Sequence, residues 1–175
     1  MDYQNIEKND LLTMRAYCDK SLLFFTRFWF RVLKNQKFIV GEHHKITCSE
    51  IEKLLNYEYE LLNINMPPRC SKTEIAAVNT IARGIGMNPK SNWLYITASD
   101  ELRSQTSVSI RDIVSHPYFY QMYGVQLKKD QNAKNLWRTN EGGGLKTATI
   151  FGQITGFGAG QMVEQNNTDL ESYIR

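Results

Sequence analysis

The sequence predicts an α/β fold, a mostly parallel sheet flanked by helices, and three observations predict it. An apolar run at residues 60–66 ends in a tight polar turn, after which Lys72 and Thr73 open a helical pattern. A second run, Asn92-Trp93-Leu94-Tyr95-Ile96-Thr97-Ala98, is dense in β-formers and leads into a helix start at Ser99-Asp100-Glu101. Strand, helix, strand, helix in that order is the beginning of a parallel sheet. Farther on, Leu136-Trp137-Arg138-Thr139 and Lys146-Thr147-Ala148-Thr149-Ile150 flank Glu141-Gly142-Gly143-Gly144, the signature of a β-hairpin.

Residues 1–20 are mostly polar and are expected to fray. Residues 20–35 read as a buried or partly buried helix, with Phe25, Trp29 and Leu33 on one face and Phe24, Phe28 and Val32 beside it. The stretch is too short to span a bilayer and carries Arg27 and Arg31, and it lacks the strongly basic face of a membrane-surface helix. It does not resemble a signal peptide. Residues 43–56 read as a second helix with Thr47 or Ser49 as cap and Ile46, Ile51, Leu54 and Leu55 as apolar positions. Residues 60–66 read as a strand, and 72–86 as a helix closed by Gly84 and Gly86. The helix after Ser99 runs to about residue 115, before the break at His116-Pro117. Gly152 to Gly160 forms a glycine-rich loop, followed by a polar tail. The chain thus divides into an N-terminal helical segment (1–58), an α/β core (59–160) and a tail (161–175).

The 175 residues suffice for one domain with a core, and 42% hydrophobic with 22% charged content is that of a globular protein. A net charge of +3 does not by itself point to nucleic acid. Cys18, Cys48 and Cys70 are odd in number and widely spaced, which fits a reducing compartment and a cytoplasmic protein.

The turn after residue 66 carries the chemistry. A phosphate-binding loop needs inward backbone N–H groups, a lysine for the β- and γ-phosphates and a Ser/Thr hydroxyl for Mg²⁺. Lys72 and Thr73 fit the last two roles, at a helix N-terminus whose dipole favours anions. Met66 and Ser71 stand where the pattern has glycines, and Pro67 and Pro68 donate no N–H, so the cradle falls to Arg69, Cys70, Ser71, Lys72 and Thr73. A solvent-exposed helix start is the alternative reading of Ser71-Lys72-Thr73.

Met66-Pro67-Pro68-Arg69-Cys70-Ser71-Lys72-Thr73-Glu74 resembles the Pro-Pro-Arg-x-Gly-Lys-Ser-Glu Walker A loop of the large terminase subunits of tailed phages, the ATP-driven motors that package DNA into procapsids. His43-His44, then Ile96-Thr97-Ala98-Ser99 with Glu101-Leu102 and Arg111-Asp112-Ile113, are similar to other segments of that family in the same order. So are Trp137-Arg138-Thr139 with Gly142-Gly143-Gly144, and Gly152-Gln153-Ile154-Thr155-Gly156-Phe157-Gly158-Ala159-Gly160. The resemblance spans roughly residues 20–160. It implies a P-loop ATPase core binding ATP and Mg²⁺, with Lys72 on phosphate, Thr73 on Mg²⁺ and Arg69 sensing the γ-phosphate. Double-stranded DNA, the small terminase subunit and the portal are the implied partners, and a bacterial host cytoplasm the implied setting. In the family an apolar strand ending in two acids follows the glycine loop. Here Gln161-Met162-Val163-Glu164 continues into a polar tail in which Asp169 and Glu171 read as solvated charges. The resemblance therefore implies the N-terminal part of the ATPase domain, stopping before the Walker B strand and the nuclease domain. An unpaired sheet edge at 60–66 and self-association through it are then expected. A non-enzymatic interaction protein with a degenerate P-loop fold, paired with an intact terminase or another partner, is the alternative.

Three further candidates remain. His43 and His44 beside Glu42 invite a metal reading, but no third ligand has helical spacing; the family resemblance places them near the nucleotide base. A catalytic thiol at Cys70 would need a histidine in reach, and none is close in sequence. Lys128, Lys129, Lys134, Arg138 and Lys146 with Trp137 read as a solvated face or as contacts to a DNA backbone.

Overall fold

The computed structural model describes residues 6–150, apart from the side chains of Gln131 and Asn132. The glycine-rich loop and polar tail beyond residue 150 lie outside the described residues. Helices α1 (Lys8–Lys20), α2 (Leu22–Lys34) and α3 (Glu42–Leu55) come first. A π-helical turn, Glu74–Asn79, then runs directly into α4 (Thr80–Met87). β1 (Asn92–Thr97), α5 (Asp100–Val114), α6 (Pro117–Tyr123), β2 (Leu127–Ala133), β3 (Leu136–Thr139) and β4 (Gly144–Thr149) complete the order.

The N-terminal residues form more structure than their polarity suggests. α1 buries Leu11 and Cys18 completely, and a buried Arg83 from α4 fastens its end. The guanidinium donates from Nε to the Cys18 carbonyl (2.9 Å) and from Nη2 to the Asp19 carbonyl (2.5 Å), satisfying acceptors that a helix C-terminus leaves open. α2 starts at Ser21, whose hydroxyl accepts from the Phe24 N–H, and it buries Leu22, Phe25, Phe28 and Trp29 as its periodicity predicts. Leu33, placed on the same face from sequence, is 41% exposed because the helix ends one residue later. In α3 the cap is Gly41 with the His44 ring, rather than Thr47 or Ser49, and Ile46 faces outward. Gly84 and Gly86 lie inside α4, not at its end; Gly84 has no room for a side chain because Trp93 sits against it.

The sheet has the order β1-β4-β3-β2. β1 and β4 are parallel, in register from Asn92 opposite Gly144 to Thr97 opposite Thr149. β3 is antiparallel to both β4 and β2. The expectation of a mostly parallel sheet is thus corrected to a mixed one, because the hairpin β3–β4 supplies the partner of β1 and β2 adds to its outer side. Residues 136–139 do pair with the segment after the glycines, as their alternation predicts.

The predicted strand at 60–66 forms no ladder among the described residues. Its side chains alternate nonetheless: Leu62 and Ile64 pack against Leu22, Phe38, Cys48, Ile51 and Ile75, while Leu61, Asn63 and Asn65 are exposed. Side-chain alternation is local, whereas a ladder needs a neighbouring strand, and none of the described strands runs beside it. Among the described residues the outer strands are β1 and β2, so the sheet edges lie there and not at 60–66. Among the described residues no helix is long and apolar enough to cross a membrane.

Candidate functional site

The loop from Met66 to Thr73 joins the alternating segment to the π turn. Two of its residues, Arg69 (φ 65°) and Ser71 (φ 57°), hold left-handed backbone, while Cys70 between them and Lys72 after them do not. A left-handed conformation costs a side-chain-bearing residue about 1–2 kcal/mol. In an anion-binding nest, right- and left-handed residues alternate and successive N–H groups turn toward one side. Helix begins immediately afterwards: the Ser71 carbonyl accepts from the Ile75 N–H (3.0 Å), and Thr73 is already in right-handed helical conformation. Lys72 and Thr73 are exposed in this first turn. Arg69 is exposed as well and makes no ion pair among the described residues.

Behind the loop the helix is wound as a π turn, an uncommon geometry frequent at functional sites. It is held by side chains that reach back five residues. Asn79 Nδ2 donates to the Glu74 carbonyl (2.7 Å), and Thr80 Oγ1 donates to the Ile75 carbonyl (2.7 Å). Both residues are buried, so these bonds satisfy polar atoms that would otherwise be costly. The Glu74 carboxylate meets Lys34 Nζ at 3.2 Å, tying the end of α2 to the turn.

The start of α3 packs on the loop from the other side. Thr47 Oγ1 lies 3.6 Å from Met66 Sδ. The His44 ring, 6% exposed, accepts the Gly41 N–H at Nδ1 (2.9 Å). With Nδ1 as acceptor, the neutral ring carries its proton on Nε2. That buried nitrogen has no hydrogen-bond partner among the described residues. Burial lowers the His44 pKa first and the adjoining His43 ring, 3.9 Å away, lowers it further. The Cys70 backbone opposes them, near enough to favour the charged ring though outside hydrogen-bond geometry. The fold therefore brings a histidine to the Cys70 backbone, which sequence separation concealed; the pair His-His was the only signal. No group of three His, Cys, Asp or Glu side chains is placed to hold a metal ion among the described residues.

A cleft of about 400 Å³ begins at Lys72 and Thr73 and runs past Ala77 and Ile81 to Trp93 and Tyr95 of β1. Trp137, among the basic residues of the hairpin, is fully buried, so it cannot stack on a nucleic-acid base.

His116, half-buried at the start of α6, is also held below the ordinary imidazole range by burial. The sign for stability follows from proton counting. A histidine with a lowered folded pKa leaves the native state with fewer protons than the unfolded chain, whose value is 6.5. Its contribution is complete above that value and is lost as pH falls below it. Urea midpoints are expected to drop between about pH 7.5 and about pH 5.5, and to drop less in His44→Gln and in His116→Gln. An unchanged pH response in both variants would rule out desolvated histidines as the cause.

Compared with protein-family models, curated proteins and solved structures, the chain matches none.

Proposed function

We propose that residues 69–73 bind the phosphates of ATP with Mg²⁺, and that the chain is the N-terminal, ATP-binding part of a phage DNA-packaging ATPase. The observation that carries the reading is the left-handed backbone at Arg69 and Ser71 directly ahead of a helix opened by Lys72 and Thr73. Non-glycine residues hold that conformation at a cost, and function is a common reason for keeping it. In this reading the N–H groups of the loop receive the β- and γ-phosphates, Lys72 adds positive charge, and Arg69 reaches the γ-phosphate. The residues present fit the group. The Thr73 hydroxyl makes no hydrogen bond among the described residues and would take Mg²⁺, which would neutralise charge building on the transferred phosphoryl oxygens. Double-stranded DNA, the small terminase subunit and the portal are the partners this reading carries with it. The series of loop, strand and hairpin motifs supports the family assignment.

A second reading is a non-enzymatic interaction protein that keeps the loop but not the chemistry. It is favoured by one observation: the segment leading into the loop makes no strand pairing among the described residues.

Thermal unfolding with and without Mg²⁺–ATP tests the first reading. Ligand at ten times its Kd stabilises the native state by about 1.4 kcal/mol. For a chain of this size that is about 3–6 °C. The rise is expected in the native protein and in Arg27→Glu/Lys37→Glu, and is expected to vanish in Lys72→Ala. A rise of equal size in Lys72→Ala, or none in the native protein at millimolar ATP, would contradict it.

A further inference from the structure

The twenty residues from Leu22 to Gly41 contain no acidic side chain and four basic ones, Arg27, Arg31, Lys34 and Lys37. Lys34 is engaged with Glu74 and lies over the Phe30 ring. The other three converge on one cleft of about 310 Å³, lined by Phe24, Arg27, Phe28, Arg31, Lys37 and Phe38. Phe24, Arg27, Phe28 and Arg31 recur at helical spacing along one face of α2, so rings and cations alternate down the wall. Lys37 and Phe38 close it from the segment after the helix. Helix-dipole compensation accounts for basic residues in the last turn, such as Arg31 and Lys34. It does not account for Arg27 in mid-helix or for Lys37 beyond the end. Neither of these two has an ion-pair partner among the described residues, and both are exposed.

We infer that this cleft is a second binding site, independent of the Lys72 loop and of Mg²⁺, for a nucleotide unit: its phosphate between Arg27 and Lys37, its base against Phe24. Cations beside aromatic faces are the chemistry that holds single-stranded nucleic acid, charge on the backbone and rings on the bases. A cleft of this volume takes a base and its sugar, not a duplex. The same chemistry serves a free nucleotide or one unit of a strand. This inference does not rest on the proposed ATP site.

Fluorescence anisotropy of a labelled oligothymidylate, titrated with the full chain at about 50 mM salt without Mg²⁺, reads the site. Arg27→Glu/Lys37→Glu is expected to raise Kd about tenfold or more and to reduce the salt slope by about 0.7, the share of the one phosphate the pair holds. Phe24→Ala is expected to raise Kd about fivefold or more with the slope unchanged. Lys72→Ala and Lys128→Glu/Lys129→Glu are expected to change Kd less than about twofold. Circular dichroism checks that each variant is folded, which the exposure of Arg27 and Lys37 favours. Competition by thymidine monophosphate identifies a free nucleotide as sufficient; its failure against a bound strand assigns the site to the polymer. The inference is overturned by three outcomes: absent oligonucleotide binding, equal losses from reversal at Lys128 and Lys129, or binding of anionic lipid vesicles in place of the oligonucleotide.

Discussion

Trp137→Ala is expected to lower the free energy of unfolding by about 3–5 kcal/mol. The indole is 0% exposed, and its Nε1–H donates to Ser107 Oγ at 3.2 Å. It stands on β3 opposite Leu145 of β4, also 0% exposed, and both belong to the cluster that includes Ile110 and Ile113 of α5. Truncation removes the ring, leaves a cavity where sheet meets helix, and strands a buried hydroxyl. Since a domain of this kind is stabilised by about 5–15 kcal/mol in total, the variant should sit close to unfolding at room temperature. Trp93 provides the contrast. It is half-buried on the outer strand β1, and its Nε1–H donates to Ser91 Oγ at 2.8 Å. Trp93→Ala is expected to cost about 1–2 kcal/mol. Chemical denaturation of the two variants decides the matter; equal losses would mean that the hairpin does not form part of the core.

The contrast between these tryptophans also marks what could be read in the sequence. Trp137 sits in a run whose β-formers and glycine turn announced a hairpin, and the run folds as one. Ser99 announced a helix, and its hydroxyl accepts the Leu102 N–H. These signals are local. β2 gave none: Leu127-Lys128-Lys129-Asp130 is an outer strand with little buried face, so no alternation betrays it. α1 was hidden for a related reason, since only Leu11 and Cys18 of its thirteen residues are buried. The segment at 60–66 shows the opposite error, a strand pattern without a partner. At the loop, residue types marked Lys72 and Thr73, but not the left-handed backbone, because arginine and serine are not the residues that advertise it. Asn79 and Thr80 interrupt an apolar helical face, and that interruption was the legible trace of the π turn.

Gly143→Ala is expected to cost about 3 kcal/mol and Gly142→Ala only about 1 kcal/mol, although both glycines belong to the same turn. Their reasons for being glycine differ. Gly142 has φ +100° with nothing within 4 Å of the point where a Cβ would stand, so a methyl group there meets only backbone strain. Gly143 has no such φ, but a Cβ would lie 2.4 Å from the Pro89 carbonyl oxygen and 2.5 Å from Lys90 C and the Ser91 oxygen. These are backbone atoms, and no rotamer change can move them aside. The segment they belong to is itself tied down: Thr139 Oγ1 donates to the Pro89 carbonyl (2.6 Å), and the Gly144 N–H donates to the Ser91 carbonyl (2.9 Å). Relief therefore requires the turn to lift away from residues 89–91, which breaks these bonds at the point where β1 and β4 begin their parallel pairing. Urea unfolding of the two variants measures the difference. If Gly142→Ala proved as costly as Gly143→Ala, the turn would be limited by conformation alone, and its contact with residues 89–91 would not be a fixed part of the fold.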